Sequence, residues 1–132
     1  MTLAAEPRTG TDIDPERVQR IKEAALRIRH NALTQAEVQG QGYIGQALDI
    51  ADILAVLYTD QLNLRPADPE WEDRDRCLLS IGHYAIGLYA ALAEAGFIPL
   101  DELDTYATDD SRLPMSGMAG YTPGMEISGG SL

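Results

Sequence analysis

The sequence predicts an α/β fold, and within it the N-terminal, largely helical portion of a parallel-sheet domain that stops before most of its strands. Three observations carry this expectation. Residues 14–32 and 47–58 repeat apolar side chains at helical spacing. The short apolar run Cys77-Leu78-Leu79-Ser80 breaks at Gly82 and delivers His83 to a helix start, as strand ends do at ligand crevices in open α/β sheets. Finally, Glu126-Ile127-Ser128-Gly129-Gly130 reads as a strand feeding a glycine turn, and the helix that should follow is absent.

Taken in order, residues 1–13 are polar, contain Pro7 and Gly10, and are expected to form a flexible arm. Order should begin at Asp14, a carboxylate N-cap, followed by Pro15 in the first turn and Glu16 near the positive helix end. Val18, Ile21, Ala25, Ile28 and Ala32 then form one apolar stripe, and His30 reads as a solvated or capping residue. Three glycines, Gly40, Gly42 and Gly45, break the helix in a tight loop that suits either a ligand or a plain turn. From Ala47 a second helix carries Leu48, Ala51, Ile53, Leu54, Leu57 and Tyr58 on a wide face, with Asp49 and Asp52 as a solvated edge. Residues 63–75 hold Pro66, Pro69 and many charges around Trp71, which suits a surface connection whose indole covers the rim of the core. Cys77 to Ser80 is expected to be an inner strand. The helix from His83 is apolar almost all round until Gly96 and belongs in the interior, and Pro99 starts another short helix. The last 25 residues contain five glycines and two prolines and show no regular element. Long irregular stretches of this kind inside a compact unit are usually functional or unpacked.

Composition narrows the function. At 132 residues, with 45% hydrophobic and 23% charged side chains, the chain suits one globular unit. A net charge of −11 opposes nonspecific binding to nucleic acid or an anionic membrane. Cys77 is the single cysteine, so no intrachain disulfide forms, and a buried, reduced thiol in the cytoplasm is expected. There is no secretory leader pattern, and no apolar run approaches the roughly 20 residues that span a bilayer.

Four ordered blocks carry a family resemblance: Ala51-Asp52-Ile53-Leu54-Ala55-Val56-Leu57-Tyr58; the segment from Asp68-Pro69-Glu70-Trp71 through Asp73-Arg74-Asp75-Arg76 to Ser80-Ile81-Gly82-His83; Ala93-Glu94-Ala95-Gly96-Phe97; and the closing run from Pro123-Gly124 to Leu132. Over residues 14–132 these resemble the N-terminal, thiamine diphosphate-binding half of transketolases, in particular their separate N-terminal subunits. The resemblance implies transfer of a two-carbon ketol unit between sugars or sugar phosphates, with thiamine diphosphate and Mg2+ or another divalent cation as cofactors. The cofactor would supply the carbanion chemistry and the protein its position and electrostatics. It further implies that His83 helps to bind the diphosphate, and that Gly130, Ser131 and Leu132 form the turn passing close to the cofactor. A C-terminal transketolase subunit would supply the activating glutamate, in a homo- or hetero-oligomer.

Two residues depart from the family pattern. Its early G-H-x-G signature reads Gly42-Tyr43-Ile44-Gly45, which puts a phenol in place of a substrate-facing imidazole. Ser116 stands where another family histidine meets the donor sugar. A phenol of ordinary pKa near 10 is a poor proton shuttle at neutral pH, and serine does not titrate. The pair suggests a different ketose or aldose partner, with loss of activity as the competing explanation. The family's metal segment would lie beyond Leu132, so no metal ligand is assigned and the chain by itself is expected to be inactive. A noncatalytic, truncated interaction module and a related thiamine-dependent synthase are the alternatives.

Overall fold

The computed structural model describes residues 13–130. Three α-helices form its frame: α1 over Pro15–Gln39, α2 over Ile44–Val56 and α3 over Ala85–Glu94. The expected flexible arm lies outside the described residues, except for Ile13, which is 74% exposed. Among the described residues no helix is long and apolar enough to cross a membrane.

Helix α1 starts as its sequence requires. The Asp14 carboxylate accepts the Glu16 N–H at 3.0 Å, and Pro15 occupies the first turn, where a missing N–H costs nothing. Its inward stripe is Ala24, Ala25, Ile28, Ala32 and Gln35, while Val18 and Ile21 are only half-buried. Gln35 is the unexpected member. It is fully buried, and its amide donates to the Asn31 carbonyl at 3.2 Å and the Ile86 carbonyl at 3.1 Å. The helix ends at Gly40 in the left-handed conformation, its N–H bonded back to Ala36 and Glu37.

Helix α2 begins at Ile44, three residues ahead of the expected start, and runs into a π-type turn at Leu57–Gln61. Ala47, Ala51, Leu54, Ala55 and Tyr58 face the core. Ile53 does not: it is 61% exposed, because one residue from Leu54 on a helix is about 100° away and turns it outward. Asp49 and Asp52 are exposed, as a solvated edge should be, and Asp52 also pairs with Arg29 of α1, which holds its carboxyl below the ordinary range.

Helix α3 is the centre of the core. Every residue from Ala85 to Leu92 is buried, as expected for a helix apolar all round. Burying Ile86, Leu88 and Leu92 contributes about 1.5–3 kcal/mol each. Gly87 lets α2 approach, because a Cβ there would lie 3.2 Å from the Ala47 Cα. The segment after Pro99 is a 3-10 helix, Leu100–Thr105, with Pro99 as its N-cap.

The expected inner strand at residues 77–80 is extended chain without strand pairing, and no strand is assigned among the described residues. A single parallel bridge joins Ile81 to Gly130. A strand needs neighbours along its edges to satisfy alternate backbone groups, and among the described residues only Gly130 forms a bridge to this run. Leu78 is accordingly 60% exposed, and Cys77 is half-buried rather than buried.

Candidate functional site

The site is built where two loops are drawn against the first turn of α3. The first loop, between α1 and α2, depends on Gly42. A Cβ at that residue would come within 2.9 Å of Ile86 Cδ1 and 3.2 Å of Ala36 Cβ, and its φ of +149° is one that side chains disfavour. Glycine therefore allows the loop to press onto α3. This places Tyr43 at the N-cap of α2, 43% exposed, with its ring centroid 5.1 Å from that of His83.

The second contact is made by Gly82. Its N–H donates to the Gly130 carbonyl at 2.9 Å and its carbonyl accepts the Gly117 N–H at 3.0 Å. The Gly130 N–H donates to Ser80 at 2.9 Å, and the Gly129 N–H donates to Gly117 at 3.3 Å. Four backbone bonds thus join three segments distant in sequence, and the close approach leaves no room for a side chain. A Cβ on Gly82 would collide with the Gly129 carbonyl oxygen and lie 2.5 Å from Ser116 Oγ.

His83 follows in a 3-10 turn, Gly82–Tyr84, that leads directly into α3. Its Nδ1 is buried and has no hydrogen-bond partner among the described residues. Tyr84 stands edge-on to the same imidazole, with ring centroids 5.0 Å apart and planes at 77°. The closing segment is held from outside by Arg74, whose guanidinium grips the Glu126 carboxylate with two bonds of 2.8 and 3.0 Å. Both side chains are 11% exposed. Arg65 stacks 3.7 Å over the Trp71 ring in the same charged connection, which is half-buried as the rim role requires.

Of the six residues singled out from sequence, the structure brings four into one neighbourhood: Ser116 and Gly130 lie against Gly82, and Tyr43 meets the adjoining His83. Ser131 and Leu132 lie outside the described residues. Sequence reasoning missed Tyr84, Gly117, Gly129 and the Arg74–Glu126 pair. Tyr84 could have been noticed as the aromatic neighbour of a helix-start histidine; the others join segments with no shared local pattern. His30 is exposed, as expected, and lines a separate groove of about 470 Å³ with Thr34, Leu100 and Asp104.

The arrangement fits a small anionic group in part. A Cβ on Gly130 would meet nothing within 4 Å, so the turn has an open side. The Gly129 and Gly130 amides are occupied by protein carbonyls, so a donor to such a group would be a side chain, and the His83 imidazole at the neighbouring start of α3 is one that can serve. A metal ion does not fit the described residues, since no three His, Cys, Asp or Glu side chains converge to hold one.

Comparison with known proteins agrees with this geometry. The sequence model of the family described as transketolase, thiamine diphosphate binding domain, matches residues 20–132. The chain belongs to the transketolase family. It is 71% identical over 112 residues to an uncharacterised transketolase family protein of Sinorhizobium fredii, covering 85% of this chain and 40% of that protein. It is 38% identical over 105 residues to the 6-deoxy-6-sulfo-D-fructose transketolase subunit SqwG of a Clostridium strain, covering 80% of this chain and 38% of that subunit. The transketolase of Leishmania mexicana superposes with a TM-score of 0.79 at 34% identity, over 83% of this chain and 17% of that one. The chain thus spans less than half the length of these relatives. The part that matches the family's thiamine diphosphate-binding domain is, among the described residues, a helical frame beside a single β-bridge.

Proposed function

We propose that this chain is the cofactor-facing N-terminal part of an enzyme that transfers two-carbon ketol units between sugars or sugar phosphates. The convergence of Tyr43, Ser116 and Gly130 on the adjoining Gly82 and His83 is the observation that supports this reading most. Thiamine diphosphate, when bound, supplies the carbanion-stabilising chemistry. His83 binds and orients the diphosphate by donating a hydrogen bond. The open side at Gly130 lets the cofactor approach the backbone, and Ser131 and Leu132 are assigned to the same contact by the family resemblance alone. Tyr43 and Ser116 face the sugar, where they hold its hydroxyl groups by hydrogen bonds.

A C-terminal subunit would supply the glutamate that activates the cofactor, and Mg2+ or another divalent cation would be held by residues other than those described. The half-buried thiol of Cys77 suits a reducing, cytoplasmic setting. A related thiamine-dependent synthase is not favoured, because the named relatives are transketolases.

The test is a ketol-transfer assay on the enzyme assembled with its C-terminal partner. Tyr43→Phe should raise the barrier by about 1–3 kcal/mol if the phenol bonds a substrate oxygen. His83→Ala should raise the concentration of thiamine diphosphate needed for half-maximal rate. Unchanged kcat/KM in the first variant and an unchanged cofactor requirement in the second would defeat the assignment.

A further inference from the structure

We propose that Tyr84 is a positioning residue that, together with Tyr43, clamps the His83 imidazole as a single tautomer, with its proton on Nε2 and pointed at an anionic oxygen of the bound ligand. The two tyrosine rings approach the imidazole at 5.1 and 5.0 Å, tilted by 60° and 77°. Tilted and edge-on arrangements of this kind are the favourable ones for aromatic pairs and oppose rotation of the ring between them. Tyr84 is half-buried at the end of the 3-10 turn, so its own ring is also restrained.

The buried Nδ1 decides the tautomer. It has no partner among the described residues, and a buried N–H left without an acceptor is rarer in folded proteins than an acceptor left without a donor. The lower-cost arrangement puts the lone pair inward on Nδ1 and the proton on Nε2. In this state Nε2 is a donor suited to phosphate oxygen and unsuited to accepting a proton. Its use toward a diphosphate rests on the functional reading above; the clamp itself rests on the rings and on Nδ1.

The experiment is ring-nitrogen NMR of the full chain, with 15N-labelled histidine, at a pH where the imidazoles are neutral. The chain has two histidines, and exposed His30 serves as the reference for an imidazole that exchanges tautomers freely. His83 is expected to show an unprotonated Nδ1 and a protonated Nε2 in the unmodified chain and in Tyr84→Phe, which keeps the ring. Tyr84→Ala should move both nitrogens toward the averaged values of His30. A proton on Nδ1, averaged nitrogens in the unmodified chain, or a Tyr84→Ala spectrum identical to that of the parent would overturn the clamp. Failure of the diphosphate assignment is seen separately, as unchanged cofactor affinity in His83→Ala.

Discussion

Replacing Gly82 by alanine should break the junction on which the site is built. The added Cβ would sit 2.5 Å from Ser116 Oγ and 2.8 Å from the Gly129 carbonyl carbon, as well as against the Gly129 oxygen. Ser116 can turn away, but the Gly129 backbone cannot without displacing its neighbours. Overpacking of this kind costs about 1–3 kcal/mol. The movement also lengthens the two bonds made by Gly82, at 2.9 Å to Gly130 and 3.0 Å from Gly117, worth about 1 kcal/mol each. The sum is about 3–5 kcal/mol, a large share of the 5–15 kcal/mol typical of a folded domain. In urea, with an m-value of about 2 kcal/mol/M, the midpoint should fall by about 2 M. Gly45→Ala is the matched control: it lies in α2, a Cβ there meets nothing within 4 Å, and alanine should leave stability unchanged or raise it by up to about 1 kcal/mol. Equal midpoints for Gly82→Ala and the parent would refute the reasoning.

Three further outcomes are expected. Glu126→Ala should loosen the closing segment, so that hydrogen exchange at the Gly82 and Gly130 amides quickens while the amides of α3 keep their protection; uniform exchange would show that Arg74 does not hold the segment. Glu102, gripped by Arg112 at 2.7 Å, has its carboxyl held below its ordinary value of 4.5 by that bond. A depressed carboxyl gives stability that is present above the ordinary value and lost as pH falls through the folded one, so the parent's advantage over Glu102→Gln should shrink in acid and not in base. Of the six tyrosines, burial raises Tyr58, Tyr89 and Tyr106, the last to about 12. Their neutral forms favour the fold, and that preference begins to cost stability as pH rises past about 10, so a late phase of phenolate absorbance should coincide with loss of helical circular dichroism.

The helices were legible because their signals are local. Asp14-Pro15-Glu16 starts α1, Gly40 ends it, and the apolar run from Ala85 to Leu92 can only be interior. The exceptions are matters of long-range pairing. Cys77 to Ser80 has the composition of an inner strand, but a strand exists only when another chain segment lies beside it, and Gly130 alone meets Ile81. Gln35 sits where periodicity calls for an apolar residue, and it is tolerated because the Asn31 and Ile86 carbonyls accept its amide protons. His83 and Tyr43 were legible from their glycine contexts and the family resemblance. Their contact was not, since 40 residues separate them and the meeting depends on the missing side chains of Gly42 and Gly82. The Arg74–Glu126 pair was hidden among many charges of both signs, none of which declares its partner in sequence.

His83 is proposed to meet the diphosphate of the cofactor. Calorimetric titration of thiamine diphosphate with the divalent cation into the assembled enzyme, comparing the parent with His83→Ala, tests it most directly. A hydrogen bond to a charged oxygen is worth about 1.5–3 kcal/mol, so the variant should bind roughly 10- to 150-fold more weakly. Equal dissociation constants for the two proteins would contradict the account.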